Sequence, residues 1–110
     1  MPAVTTDITI EQGATWAHGW MVNCNGDPID ATWTARGQIR ARASDTAVLH
    51  QFAADVTALE GAVVIAVDPE ESAAWDWRIG VYDVEVVNAD QSLTLRVAQG
   101  RVIVSPEVTR

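Results

Sequence analysis

RIGVYDVEVVNADQSLTLRVAQGRVIVSPE, residues 78–107, holds two β-rich runs joined by a polar turn. In the first run Tyr82, Val84 and Val86 fall on one side and Asp83 and Glu85 on the other. That is the period of two expected of a strand with one buried and one wet face. Residues 88–92, NADQS, are turn chemistry, because Asn, Asp and Ser side chains bond their own backbone and tolerate tight bends. In the second run Leu93, Leu95 and Val97 alternate with Thr94, Arg96 and Ala98. Gly100 interrupts this pattern and is the expected place of a bulge or bend, after which Val102 and Val104 resume it. The stretch therefore reads as a β-hairpin with a long second arm.

The rest of the chain repeats this grammar. Thr5 to Ile10 is a short strand with Ile8 and Ile10 on one face, and residues 11–13, EQG, form a turn. Residues 14–22, ATWAHGWMV, form a second strand, with Trp16, His18 and Trp20 on one face and Ala17, Gly19 and Met21 on the other. The NCNGDP segment at 23–28 joins Asn-Gly to Asp-Pro and is the strongest turn signal in the chain. From Ile29 to Trp33 the chain crosses between sheets. Thr34 to Arg42 is a strand whose polar face carries Arg36, Gln38, Arg40 and Arg42, opposite Ala35, Gly37, Ile39 and Ala41. A shorter strand spans Ala47 to Phe52, a connection runs from Asp55 to Gly61, and AVVIAV at 62–67 is another strand. Asp68 is then placed to cap a helical link near residues 69–75, with Pro69 at its first position and Glu70 and Glu71 at the positive end of the dipole. About seven or eight short strands with turns roughly every ten residues predict a single all-β domain over residues 1–110. Its expected form is an antiparallel immunoglobulin-like β-sandwich with Greek-key connections.

Composition narrows the function classes. Hydrophobic residues make up 48% of the 110, enough for a packed core. No run of about 18 apolar residues could span a bilayer, and the first residues, MPAVTTDITIEQG, lack the basic and apolar segments of a secretion signal. Fifteen acidic residues against seven arginines and no lysine give a net charge of −8, which argues against nucleic-acid binding. Cys24 is the sole cysteine, so neither an intrachain disulfide nor a cysteine metal cluster can form.

No catalytic constellation is legible. His18 and His50 are the only histidines, and neither is placed beside a Ser or Cys nucleophile with an orienting acid. Asp68, Glu70 and Glu71 lack the acidic spacing and central glycine of a calcium loop, and no glycine-rich phosphate cradle is present. No cofactor or metal is expected, and the chain reads as a non-enzyme. Asp83 and Glu85 read as partners for Arg36, Arg40 and Arg42 in cross-strand ion pairs, provided that the two strands are neighbours. Five tryptophans outnumber one Tyr and one Phe, and so small a domain does not readily hide them all. Trp75 and Trp77, at the end of the helical link, are the candidate interface residues.

Taken in order, the opening DITIEQGATW, the NGDPID turn, the strand TARGQIRAR, the link DPEESAAW and the closing VYDVEVVNADQSLTLRVAQGRVIVSPEVTR resemble a family of small β-sandwich virion domains of bacteriophages. These are tail-fibre and other minor structural proteins of phages of actinobacteria, similar in layout to the N-terminal domain of upper baseplate proteins. The resemblance runs from about Asp7 to Arg110 and is most specific at YDVE, 82–85, and GRVIVSPEVT, 100–109. This chain departs from the family pattern in carrying Trp20, Trp33, Trp75 and Trp77. The resemblance implies a non-enzymatic structural protein of the virion, assembled in the host cytoplasm. It would associate with tail or baseplate or decorate the capsid, as a homo-oligomer or bound to other virion proteins. The alternative is a carbohydrate-binding module that attaches a particle or enzyme to host cell-wall sugars.

Overall fold

The computed structural model of the protein describes residues 3–56 and 61–109. Among these, eleven strands and one helix follow in the order β1 Val4–Thr5, β2 Ile8–Glu11, β3 Trp16–Met21, β4 Asn23–Cys24, β5 Asp27–Pro28, β6 Thr34–Arg40, β7 His50–Gln51, β8 Ala53–Val56, β9 Ala62–Val67, α1 Pro69–Ala73, β10 Ile79–Val87 and β11 Thr94–Ser105. The larger sheet runs β1-β11-β10-β6-β7, with β2 also on β11; the smaller runs β3-β9-β8. Between β3 and β6 sits the β4–β5 ribbon, turned by Asn25 and Gly26. Their φ values of 53° and 85° are what a tight two-residue hairpin requires, and Asn-Gly supplies them with little strain.

The order β3-β9-β8 facing β6-β10-β11 is the B-E-D against C-F-G arrangement of an immunoglobulin-like sandwich. The core lies between the sheets. Val63, Ile65 and Val67 of β9 meet Ile39 of β6, Tyr82, Val84 and Val86 of β10, and Val97, Val102 and Val104 of β11 in one buried set. Each fully buried Val or Ile contributes about 1.5–3 kcal/mol. With a single cysteine, apolar packing of this kind replaces the inter-sheet disulfide that many such domains carry.

The central hairpin pairs as the alternation predicts, but its bulge is elsewhere. Val84 lies opposite Ala98 while Glu85 lies opposite Arg96, so Val97 is the extra residue. Val97 and Ala98 are consecutive and both buried. Before the bulge the inward positions are odd, Leu95 and Val97; after it they are even, Ala98, Val102 and Val104. A strand of period two changes parity only by inserting a residue. Gly100 has a different task. A Cβ there would run into the Thr6 carbonyl oxygen, and Tyr82, opposite Gly100, donates its hydroxyl hydrogen bond to that same oxygen at 2.5 Å. Burial, with the Asp7 charge adding to it, pushes the Tyr82 phenol up to about 12, so it remains a donor across the physiological range.

Other expectations are revised. The sandwich is not wholly antiparallel, because β1 and β2 both run parallel to β11, with Val4 opposite Ala98 and Ile8 opposite Val102. The strand read over Ala47 to Phe52 shrinks to β7, and the chain then changes sheets at Phe52 to form β8 where a connection was expected. Positions 57–60 of that expected connection lie outside the described residues. Alternation across 53–56 is faint, since two alanines and Asp55 offer little contrast in hydrophobicity. The helical link forms at Pro69–Ala73 with Pro at its start, but Asp68 makes no side-chain cap. It is anchored instead by the β2–β3 turn. The buried Ser72 hydroxyl accepts the Gly13 N–H at 2.8 Å, and the Gln12 amide donates to the Trp75 carbonyl at 3.0 Å.

Gly100→Ala is expected to push the Thr6 backbone off β11 and cost about 1–3 kcal/mol, as overpacking a tight contact does. A urea titration reads this directly; an unchanged midpoint would mean that the approach of Thr6 to Gly100 is not fixed.

Candidate interaction surfaces

On the outer face of the larger sheet one of the expected charge pairs forms, Arg36 with Glu85, while Arg40 and Arg42 do not pair with Asp83 or Glu85 among the described residues. β10 is flanked by β6 and β11, so its outward residues Asp83 and Glu85 look onto arginines from both sides. Arg36, directly opposite Glu85, places Nε 3.0 Å from Glu85 Oε1. Asp83 is opposite Gln38 and is met from the other side by Arg96 at 3.8 Å, a partner that the sequence pattern did not single out. Arg40 makes no ion pair with Asp83 among the described residues and donates to the Asp45 carbonyl and to Gln38 Oε1. Arg42 lies beyond the end of β6, exposed and without an ion pair among the described residues. Arg101 clasps Asp7 through its backbone N–H at 2.9 Å and its guanidinium at 3.0 Å. Gln38, Arg40, Asp83, Glu85, Arg96 and Arg101 line a shallow concavity of about 540 Å³. Burial raises the Asp83 carboxyl above its ordinary 3.8, the neighbouring Glu85 adds to this, and Arg96, Arg40 and Arg36 oppose it. With its acids facing arginines, this face is internally compensated.

Four of the five tryptophans fall into two groups, and Trp33 is half-buried against the core apart from both. Trp75 and Trp77 lie against each other with ring centroids 4.6 Å apart, and Trp75 meets the His50 edge at 5.1 Å. Both are half-buried and packed on the core, and the Trp77 indole nitrogen is buried without a hydrogen-bond partner among the described residues. They pack on the core and on each other rather than forming a free platform. Burial also holds the His50 imidazole below its ordinary 6.5, against the pull of the Glu71 carboxylate 3.9 Å away. The second group is a row on β3. Trp16, His18 and Trp20 are opposite Val67, Ile65 and Val63 and so share the core face, yet His18 is exposed and the two indoles are only half-buried. Trp16 and His18 stack at 6.3 Å, and His18 meets Trp20 edge-on at 4.6 Å.

That row is uncovered because β3 is an edge strand. The N-terminal strand that could have flanked it instead joins β11 in the other sheet. No hydrogen bond from residues 16–21 other than those to β9 occurs among the described residues. The other edges are guarded: β1–β2 is broken at Thr6–Asp7, β7 is two residues long, and β8 is four residues long and carries Asp55. β3 has six residues, no charge, no proline and an unbroken register. These are the features that natural edges usually avoid. WAHGWM could have signalled this by its lack of charge, but nothing in the sequence says which sheet the N-terminus joins.

No family model matches the chain, and neither does any curated protein. Among solved structures it is similar to the extracellular domain of the voltage-gated sodium channel β4 subunit, described as forming parallel homodimers that explain its role in cell–cell adhesion. The two align with a TM-score of 0.54 over 98% of this chain and 97% of that one, at 9% identity. The likeness is one of fold, in agreement with the sheet order above.

Trp75→Ala and Trp77→Ala are each expected to lower fold stability by about 2–4 kcal/mol, because each removes a core-packed ring. Wild-type denaturation midpoints in both variants would return these residues to the free surface. Asp83→Asn is expected to raise the thermal midpoint at pH 7, because a carboxyl whose folded value is raised opposes folding when ionised. The gain should shrink as pH falls and vanish below 3.8, where the wild-type group is protonated in both states. A lower midpoint in the variant at pH 7 would mean that the attraction of Arg96 outweighs burial.

Proposed function

We propose that this chain is a non-enzymatic assembly module of a bacteriophage particle, associated with tail or baseplate or decorating the capsid. The observation that carries this reading is the open, uncharged β3 edge on a sandwich whose polar sheet face is already compensated internally. A surface of that kind offers backbone N–H and C=O groups to another strand and offers little to a reacting substrate. The resemblance of the YDVE and GRVIVSPEVT segments to virion sandwich domains supplies the biological setting. The module would assemble in the host cytoplasm and remain with the virion.

A second reading, attachment to cell-wall carbohydrate, draws support from the exposed rim of Trp16, His18 and Trp20, since half-open indoles stack on sugar faces.

Fractionation of a phage lysate that contains the chain separates the two. The assembly reading expects it to band with particles in a density gradient and to be labelled on them by antibody under the electron microscope. Recovery only among free proteins, together with quenching of tryptophan fluorescence by cell-wall polysaccharide, would replace it with the carbohydrate reading.

A further inference from the structure

We propose that β3 pairs antiparallel with β3 of a second copy about a twofold axis at His18, joining two three-stranded sheets into one of six strands. This rests on the assembly reading and names its first contact. Of the described edges, only β3 combines six residues with an unbroken register and no charged side chain. Each copy carries −8, so two copies repel wherever charged surface meets, and an uncharged edge is the place of least opposition.

The register follows from geometry. Residues directly opposite in an antiparallel pair share a face of the sheet, so twofold partners must have numbers of the same parity. An axis at His18 brings five of the six β3 residues, Trp16–Trp20, into register with their counterparts. Trp16 lies opposite Trp20 of the second copy, Ala17 opposite Gly19, and His18 opposite its own counterpart. On the outer face Ala17 and Gly19 present almost no side chain, which leaves the backbone open to close approach. On the inner face the half-buried rings of one copy cover those of the other, which removes from water the rim that the monomer leaves wet. Isologous self-contact of this kind closes after two copies.

Sedimentation equilibrium over a concentration series tests this with the full chain. Wild type is expected to move from 11.9 kDa toward twice that mass. His18→Lys and His18→Glu each set like charges face to face at the axis and are expected to weaken the dimer about fivefold or more. An equimolar mixture of the two should restore or exceed wild-type association, because unlike charges then meet. His18 is exposed, so both variants should keep the wild-type circular dichroism and thermal midpoint, and either one serves if the other fails to fold. A wild type that stays monomeric, a discrete trimer or larger ring, a dimer indifferent to His18→Lys, or a mixture no tighter than its components would each overturn the proposal. Because this assay uses isolated protein, its failure is distinct from that of the assembly reading: a monomer could still band with particles, and a dimer could be absent from them.

Discussion

β11 has twelve residues, buries odd positions at its start and even positions at its end, and pairs on both of its sides. The single extra residue at Val97 makes this possible. Without it either Leu95 and Val97 or Val102 and Val104 would face water, because a slip of one residue inverts every side chain downstream. Past the bulge, Gly100 brings the N-terminal segment close enough for Tyr82 to bind the Thr6 carbonyl, and Asp7 then locks onto Arg101. Joining the N-terminus to β11 in this way commits it to the larger sheet. The smaller sheet is consequently left with three strands and an open side.

That consequence ties fold to function. An immunoglobulin-like sandwich can close its second sheet with an N-terminal strand; here the strand is used elsewhere and β3 is left bare. The exposed aromatic row and the uncharged edge are two aspects of one topological choice. The polar sheet face shows the opposite behaviour. Arg36 with Glu85, Arg96 with Asp83 and Arg101 with Asp7 satisfy one another across strands. Exposed pairs of this sort contribute little to stability, about 0–1 kcal/mol each, but they leave little net charge to recruit a partner.

The link between the sheets has its own division of labour. Pro69 starts a helix of five residues, too short to persist alone. Ser72 and Gln12 fasten it to the β2–β3 turn, and Trp75 then packs on His50 and on Trp77. The tryptophans that look free from their place beside a polar helix are thus held by tertiary contacts, and they are half-buried like those inside β3.

Local pattern determined much of this protein. Alternation at Tyr82, Val84 and Val86, Asn-Gly at 25–26 and Pro69 before two glutamates specify strand, turn and helix through the chemistry of a few neighbouring residues. The all-β class, the central hairpin and the Arg36–Glu85 neighbourhood follow from such signals. Only the tertiary structure decided which sheet each strand joined, where β11 changed parity, that Arg96 rather than Arg40 meets Asp83, and what each tryptophan packs against. These depend on contacts between residues far apart in the chain, such as Thr6 with Gly100 and Gly13 with Ser72. A periodic pattern records which face of a strand is buried and carries no information about the neighbour that buries it.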